Sequence, residues 1–209
     1  PAKVQAAWQI AWLVGILWLL FFSANNGAHL VSSRIGEYFK SSGLTDGVQL
    51  VGVWMTSMVY AVLLGGIATL VSVITMVSGG GEFASHWWIL SLQHFSLMLL
   101  VFSGLNFLSI ALASRCGATI GYVGSLIIAF SGLFLVLAIE KIVVTSDFFA
   151  LDLLYTILPH FYLADVTHRF VHQQGAMTTS EYFAVFEYLA GWSLLLSGIS
   201  CLIFTTKEK

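Results

Sequence analysis

The sequence predicts an all-α fold: a polytopic membrane helix bundle of about five transmembrane helices, forming one transmembrane domain over residues 1–209. Between Asp46 and Glu82 there is no Asp, Glu, Lys or Arg, and about 20 apolar residues suffice to cross a hydrocarbon core ~30 Å thick. Charged residues make up only 9% of the chain and its mean hydropathy is +0.92, whereas roughly 25% of an average globular domain is charged. Similar apolar runs lie around Trp8–Ser23, His86–Leu112, Ile120–Ile139 and Phe183–Phe204, so the partner common to the whole chain is the lipid bilayer.

Lys3 ahead of the first run imitates a secretory leader, but SANNGAHL after Phe22 lacks a small-x-small cleavage site and four more spans follow. With a formal charge of -2 there is no basic field for nucleic acid. Cys116 sits in a short turn and Cys201 inside the last run, positions that suit packing rather than a disulfide. Lys and Arg set orientation through the short loops. Arg34, Lys40, Arg115, Lys207 and Lys209 fall on one side, which becomes the cytoplasmic face; Lys3, Lys141 and Arg169 fall on the other. An odd number of spans then puts the N-terminus outside.

The first two runs are joined by VSSRIGEYFKSSGLTDGVQLVG, where Arg34, Glu37 and Lys40 recur every three residues with Ile35, Tyr38 and Phe39 between them. This spacing suits a short amphipathic helix on the cytoplasmic face; it also fits a solvated turn. Ser41, Ser42 and Gly43 end it, and Thr45 or Asp46 can cap the next helix. The long connection TSDFFALDLLYTILPHFYLADVTHRFVHQQGAMTTSEYF is too polar to span and too apolar for a free loop. It predicts an interfacial or re-entrant helix over Leu151–Leu158 that stops before Pro159. Leu154, Leu158, Pro159 and Phe161 would form a lid over the outer ends of the spans. Asp165 to Val171 adds a polar turn or two, and Ser180 caps the last span with Glu181 in its first turn.

These connections resemble the permease subunits of type-2 class ABC exporters. The likeness runs from Val31 to the C-terminus on loose motifs: SRIGEYFKSSGLTDGVQLVG, then LPHFYLADVTHRFVH, then the ending EYFAVFEYLAGWSLLLSGISCLIFTTKEK. Arg34 and Gly36 fit the family pattern, while Ser32 replaces its Glu, Glu37 its Thr, and Val53 its common Lys. The first span here looks like the family's second, because the segment that resembles the coupling helix follows it directly. The resemblance implies a transport subunit in a bacterial inner membrane, paired with a second permease copy or a sister permease. It also implies that Arg34, Ile35, Glu37, Tyr38, Phe39 and Lys40 form the helix that couples to a cytoplasmic ATP-binding subunit. GGGE at Gly79–Glu82 lacks the Lys-Ser/Thr of a phosphate loop, so ATP would be bound and hydrolysed in the partner, and this chain is expected to be no enzyme and to carry no cofactor.

Histidine supports a second class of function, a non-transporting anchor or accessory subunit of a larger membrane complex, redox complexes included. His168 and His172 are four apart, a metal-compatible spacing, and His94 is the one histidine deep in a span; polar anchoring is the plainer role for each. Gln93, Ser103, Asn106 and Ser109 recur along the third span and suit hydrogen bonds between helices. Gly65, Gly66, Gly117, Gly121 and Gly124 favour close packing, the last three as a possible dimer seam. Trp8, Trp54, Trp87 and Trp88 fit an interfacial aromatic belt.

Overall fold

The computed structural model describes residues 2–33, 35–77, 84–143 and 148–204. Among them there is no strand. Helix α1 (Ala2–Ser32) is followed by the short α2 (Ile35–Ser41), and α3 (Asp46–Val77) and α4 (Ala84–Cys116) come next. Helix α5 (Ala118–Val143) leads to α6 (Phe149–Ile157), a 3-10 turn over Phe161–Ala164, α7 (Thr167–Val171) and α8 (Thr179–Ile203). Five of these, α1, α3, α4, α5 and α8, are long and apolar enough to cross a bilayer. The chain is an integral membrane protein.

Burial identifies the central helix. In α4, 67% of the apolar window is buried, against 22% in α3 and in α8, and α1, α3, α5 and α8 all pack on it. Phe102 and Leu105 of α4 are fully buried, with Trp12 of α1 against Phe102 at 5.4 Å. Lipid supplies no hydrophobic drive between helices, so polar pairs and close backbone contacts fix their register. Ser23 of α1 donates to Asn106 Oδ1 of α4 at 2.9 Å, and Ser57 of α3 lies 2.9 Å from the same Ser23 hydroxyl. Ser109 donates to the Leu20 carbonyl at 2.9 Å, and Gln93 exchanges two bonds of 3.0 and 2.9 Å with the backbone of Met177.

Two spans each carry one extra residue in a single widened turn. The N–H of Leu20 bonds the carbonyl of Gly15, and that of Val136 the carbonyl of Ser131. Each of these five-residue π-turns carries a glycine beneath an aromatic ring from another element: Phe102 on Gly15, and Phe161 on Gly132. Such turns occur mostly as single bulges and often at functional sites.

Three sequence expectations need correction. Helix α4 ends at Cys116 and α5 starts at Ala118, a reversal through Gly117 at φ 89°, a backbone conformation that favours glycine. The hairpin is so tight that a Cβ on Gly121 would lie 2.7 Å from the Ala113 backbone nitrogen. At Gly121 and Gly124 the small-residue face is therefore occupied within the chain by α4 and is not a free dimer seam. Trp8 and Trp87 are buried, Trp8 stacked on His94 and Trp87 against Phe170. They belong to the core and not to an interfacial belt, because the segment after Pro159 covers that end of the bundle. The last span is capped by Thr178, not Ser180: the Thr178 hydroxyl accepts from Glu181 N–H while Glu181 accepts from Thr178 N–H. That reciprocal pair satisfies two donors, one more than a lone serine cap would.

Candidate functional site

Two places bring chemistry-bearing side chains together, one at each end of the bundle. The first is α2. Its end is set by Gly43 at φ 88°, with Leu44 N–H bonding the Phe39 carbonyl at 3.0 Å and Gly43 N–H the Lys40 carbonyl at 3.0 Å. This closure turns the chain straight into α3, where Val48 N–H reaches the Thr45 hydroxyl as a cap. Gln49, one turn into α3 and buried, donates to the carbonyls of Gly36 and Leu44 at 3.2 Å each. Lys40 pairs with Asp46 at 3.0 Å. The helix is thus braced on the start of a span through Gly36, Lys40 and Leu44, while Ile35, Glu37, Tyr38 and Phe39 stay exposed, Tyr38 at 69%. Phe39 also forms one wall of a groove of ≈ 350 Å³ with Leu30, Leu44 and Val48. Arg34 lies outside the described residues.

The second place is the opposite end. Helix α6 ends at Ile157, and Leu158 adopts an extended backbone (φ -73°, ψ 143°) before Pro159, as the residue before proline must. Helix α6 buries none of its residues, and Leu154 is 41% exposed. The chain packs into the bundle after the break: Leu158 is half-buried, Pro159 buried, and Phe161 buried on Gly132. Aromatic groups hold the break. The His160 N–H donates to Tyr188 Oη of α8 at 3.0 Å, and His160 Nδ1 and the Tyr188 hydroxyl share a second hydrogen bond of 2.6 Å. Tyr155 stands edge-on to the His160 ring at 4.5 Å. Burial holds His160 below its usual pKa of 6.5, against the opposing pull of Glu140, and pushes the Tyr162 hydroxyl up.

The sign of the resulting pH effect follows from linkage. Below its usual pKa the unfolded histidine binds the proton that the seated one resists, so the seated segment loses stability as pH falls below 6.5. Thermal unfolding in detergent should show Tm dropping on acidification through that region, with a smaller drop in His160→Asn. An equal drop in the variant would assign the effect to other groups.

Beneath α7, His94 of α4 is fully buried, stacked on Trp8 at 4.0 Å and accepting a hydrogen bond from Trp12 Nε1 at 2.9 Å. Asp165 Oδ1 lies 3.7 Å from His94 Nε2 and also takes the N–H of Thr167 at 3.1 Å. Trp12, Asp165 and His168 line a cavity of ≈ 460 Å³ whose other walls include Ile16 and Leu133, each within one of the two π-turns. Arg169 at its rim bonds the carbonyls of Gly175 and Ala176 and lies 3.8 Å from Glu181.

Family models, curated proteins and solved structures contain no match to this chain. His168 lies in α7 and His172 just past its end, and the described residues contain no group of three metal-compatible side chains. GGGE at Gly79–Glu82 and the His86 side chain lie outside the described residues. Sequence reasoning missed Gln49, Asp165 and Tyr188. A glutamine one turn inside a span start is a polar group in need of partners, and that signal was available; Asp165 and Tyr188 gain their roles only from the packing of the segment after Pro159.

Proposed function

We propose that this chain is the membrane-spanning permease subunit of an ABC-type exporter of a bacterial inner membrane. A separate cytoplasmic ATP-binding subunit drives it, and it pairs with a second copy or a sister permease. The observation that carries this reading is α2. A seven-residue helix tied to the first turn of a span by Gln49 and by the Lys40–Asp46 pair moves with that span, while its Ile35, Tyr38 and Phe39 face remains open. Aromatic anchors ringed by charges are the usual composition of a protein-binding hot spot. A partner that grips this face and changes shape on ATP hydrolysis would push α1 and α3 through the brace, as a two-position element should. Hydrolysis and its nucleotide belong to the partner. Copurification of an ATP-binding protein with the wild-type chain, compared with Phe39→Asp, tests the reading.

A further inference from the structure

The junction between α1, α4 and α7 holds an ionisable group inside the membrane, where such groups are costly and commonly functional. His94 Nε2 accepts the Trp12 indole hydrogen at 2.9 Å, so in this state the ring carries its own hydrogen on Nδ1. Nδ1 is buried and has no hydrogen-bond partner among the described residues. The arrangement is therefore not explained by satisfaction of the ring: the ordinary alternative, hydrogen on Nε2 directed at a carboxylate, is also within reach, since Asp165 Oδ1 lies only 3.7 Å away.

We propose that His94 is a proton-binding site whose occupancy exchanges its Nε2 partner, Trp12 of α1 in the neutral ring for Asp165 of the α7 segment in the charged one. The step is a proton uptake from solvent, with no change in electrons. Asp165, with 42% of its side chain exposed, is the wet end of the path. A proton on Nε2 removes the lone pair that Trp12 uses and sets two donors face to face. Trp12 must then leave, and the imidazolium N–H turns to the carboxylate, which has to close the remaining gap. The cavity of ≈ 460 Å³ that Trp12 and Asp165 both line gives each of them room to move. Trp12 lies three residues before the π-turn of α1, a place where a helix can shift its register by local rewinding.

The ionisable groups that act on His94 are Asp165 and His168, both from the segment at α7. From α1 it meets Trp8 and Trp12, and Phe170 stands beside it at 6.3 Å; none of these titrates. Arg169, at the cavity rim, faces Glu181 at 3.8 Å. Protonation therefore trades a bond between two spans for one between a span and the segment that covers them. This requires no ATP-binding partner and stands apart from the reading of α2.

The test is nitrogen NMR of the full chain in lipid nanodiscs, labelled with ¹⁵N at histidine and tryptophan. The His94 ring is assigned by its loss in His94→Gln, and Trp12 by its loss in Trp12→Phe; should His94→Gln not insert, through-space contact with the Trp8 ring assigns His94 in the wild type. At neutral pH the His94 ring should carry hydrogen on Nδ1 and not on Nε2. On acidification Nε2 should gain hydrogen and the Trp12 indole N–H should shift over the same pH range. In Asp165→Asn the Trp12 shift should be absent from that range. Hydrogen on Nε2 at neutral pH, a Trp12 signal indifferent to His94 titration, or an unchanged Trp12 response in Asp165→Asn would each overturn the proposal.

Discussion

Gly27→Leu should destabilise the bundle by about 3 kcal/mol, the upper part of the range for overpacking a dense core. A Cβ at Gly27 of α1 would stand 2.5 Å from the Ile110 carbonyl oxygen and 2.9 Å from its Cα. Both are backbone atoms of the central helix, so no rotamer change relieves the clash and α1 must move away from α4. Ser23 sits one turn earlier and Ser109 beside Ile110, so the displacement also stretches the Ser23–Asn106 and Ser109–Leu20 bonds. Hydrogen bonds of this kind contribute only about 0.6 kcal/mol each on average in membranes, so the backbone contact dominates. Gly66→Leu is the control, because a Cβ there meets nothing. Unfolding curves in mixed detergent should separate the two variants, and equal stability would show that α1 and α4 are not held at backbone contact.

Phe161→Ala should cost about 3 to 5 kcal/mol, as removal of a buried aromatic ring does. Phe161 is 1% exposed and its ring rests on Gly132 inside the π-turn of α5. Its loss opens a void beneath the one part of the outer segment that is packed. The damage should be local at first: protease sites within 148–172 become accessible before the spans unfold. Leu154→Ala is expected to change little, since Leu154 is 41% exposed and α6 buries nothing. Equal protection of the outer segment in Phe161→Ala and wild type would mean that something other than this ring holds it.

Local chemistry made much of this architecture legible. An uncharged run such as Asp46 to Glu82 has few alternatives to a span, and the residue before Pro159 has few alternatives to extended backbone. Gly43 after Ser41 and Ser42 marked the end of α2 for the same reason. The errors came where the outcome depends on what a residue packs against. Trp8 and Trp87 were read by their position near span ends, yet the segment after Pro159 covers them and makes them core. Gly121 was open to a partner chain on sequence grounds, and its own hairpin fills it. His94 stood out as the histidine deep in a span, but its partners, Trp12 at a separation of 82 residues and Asp165 on a surface turn, come together only in the fold. The π-turns leave no periodic signature, because a single extra residue per helix shifts the apolar stripe without erasing it.

The reading of α2 as the point where an ATP-binding subunit drives the spans meets its most direct test in copurification from native membranes. The wild-type chain should bring down an ATP-binding protein in stoichiometric amount. Phe39→Asp should lose it, because a carboxylate in a dry interface costs several kcal/mol when unpaired. The variant should still insert, since Phe39 lies in α2 and outside the five spans. Should the wild-type chain bind no ATP-binding protein, or should Phe39→Asp retain it in full, α2 is not the coupling element and the exporter reading is contradicted.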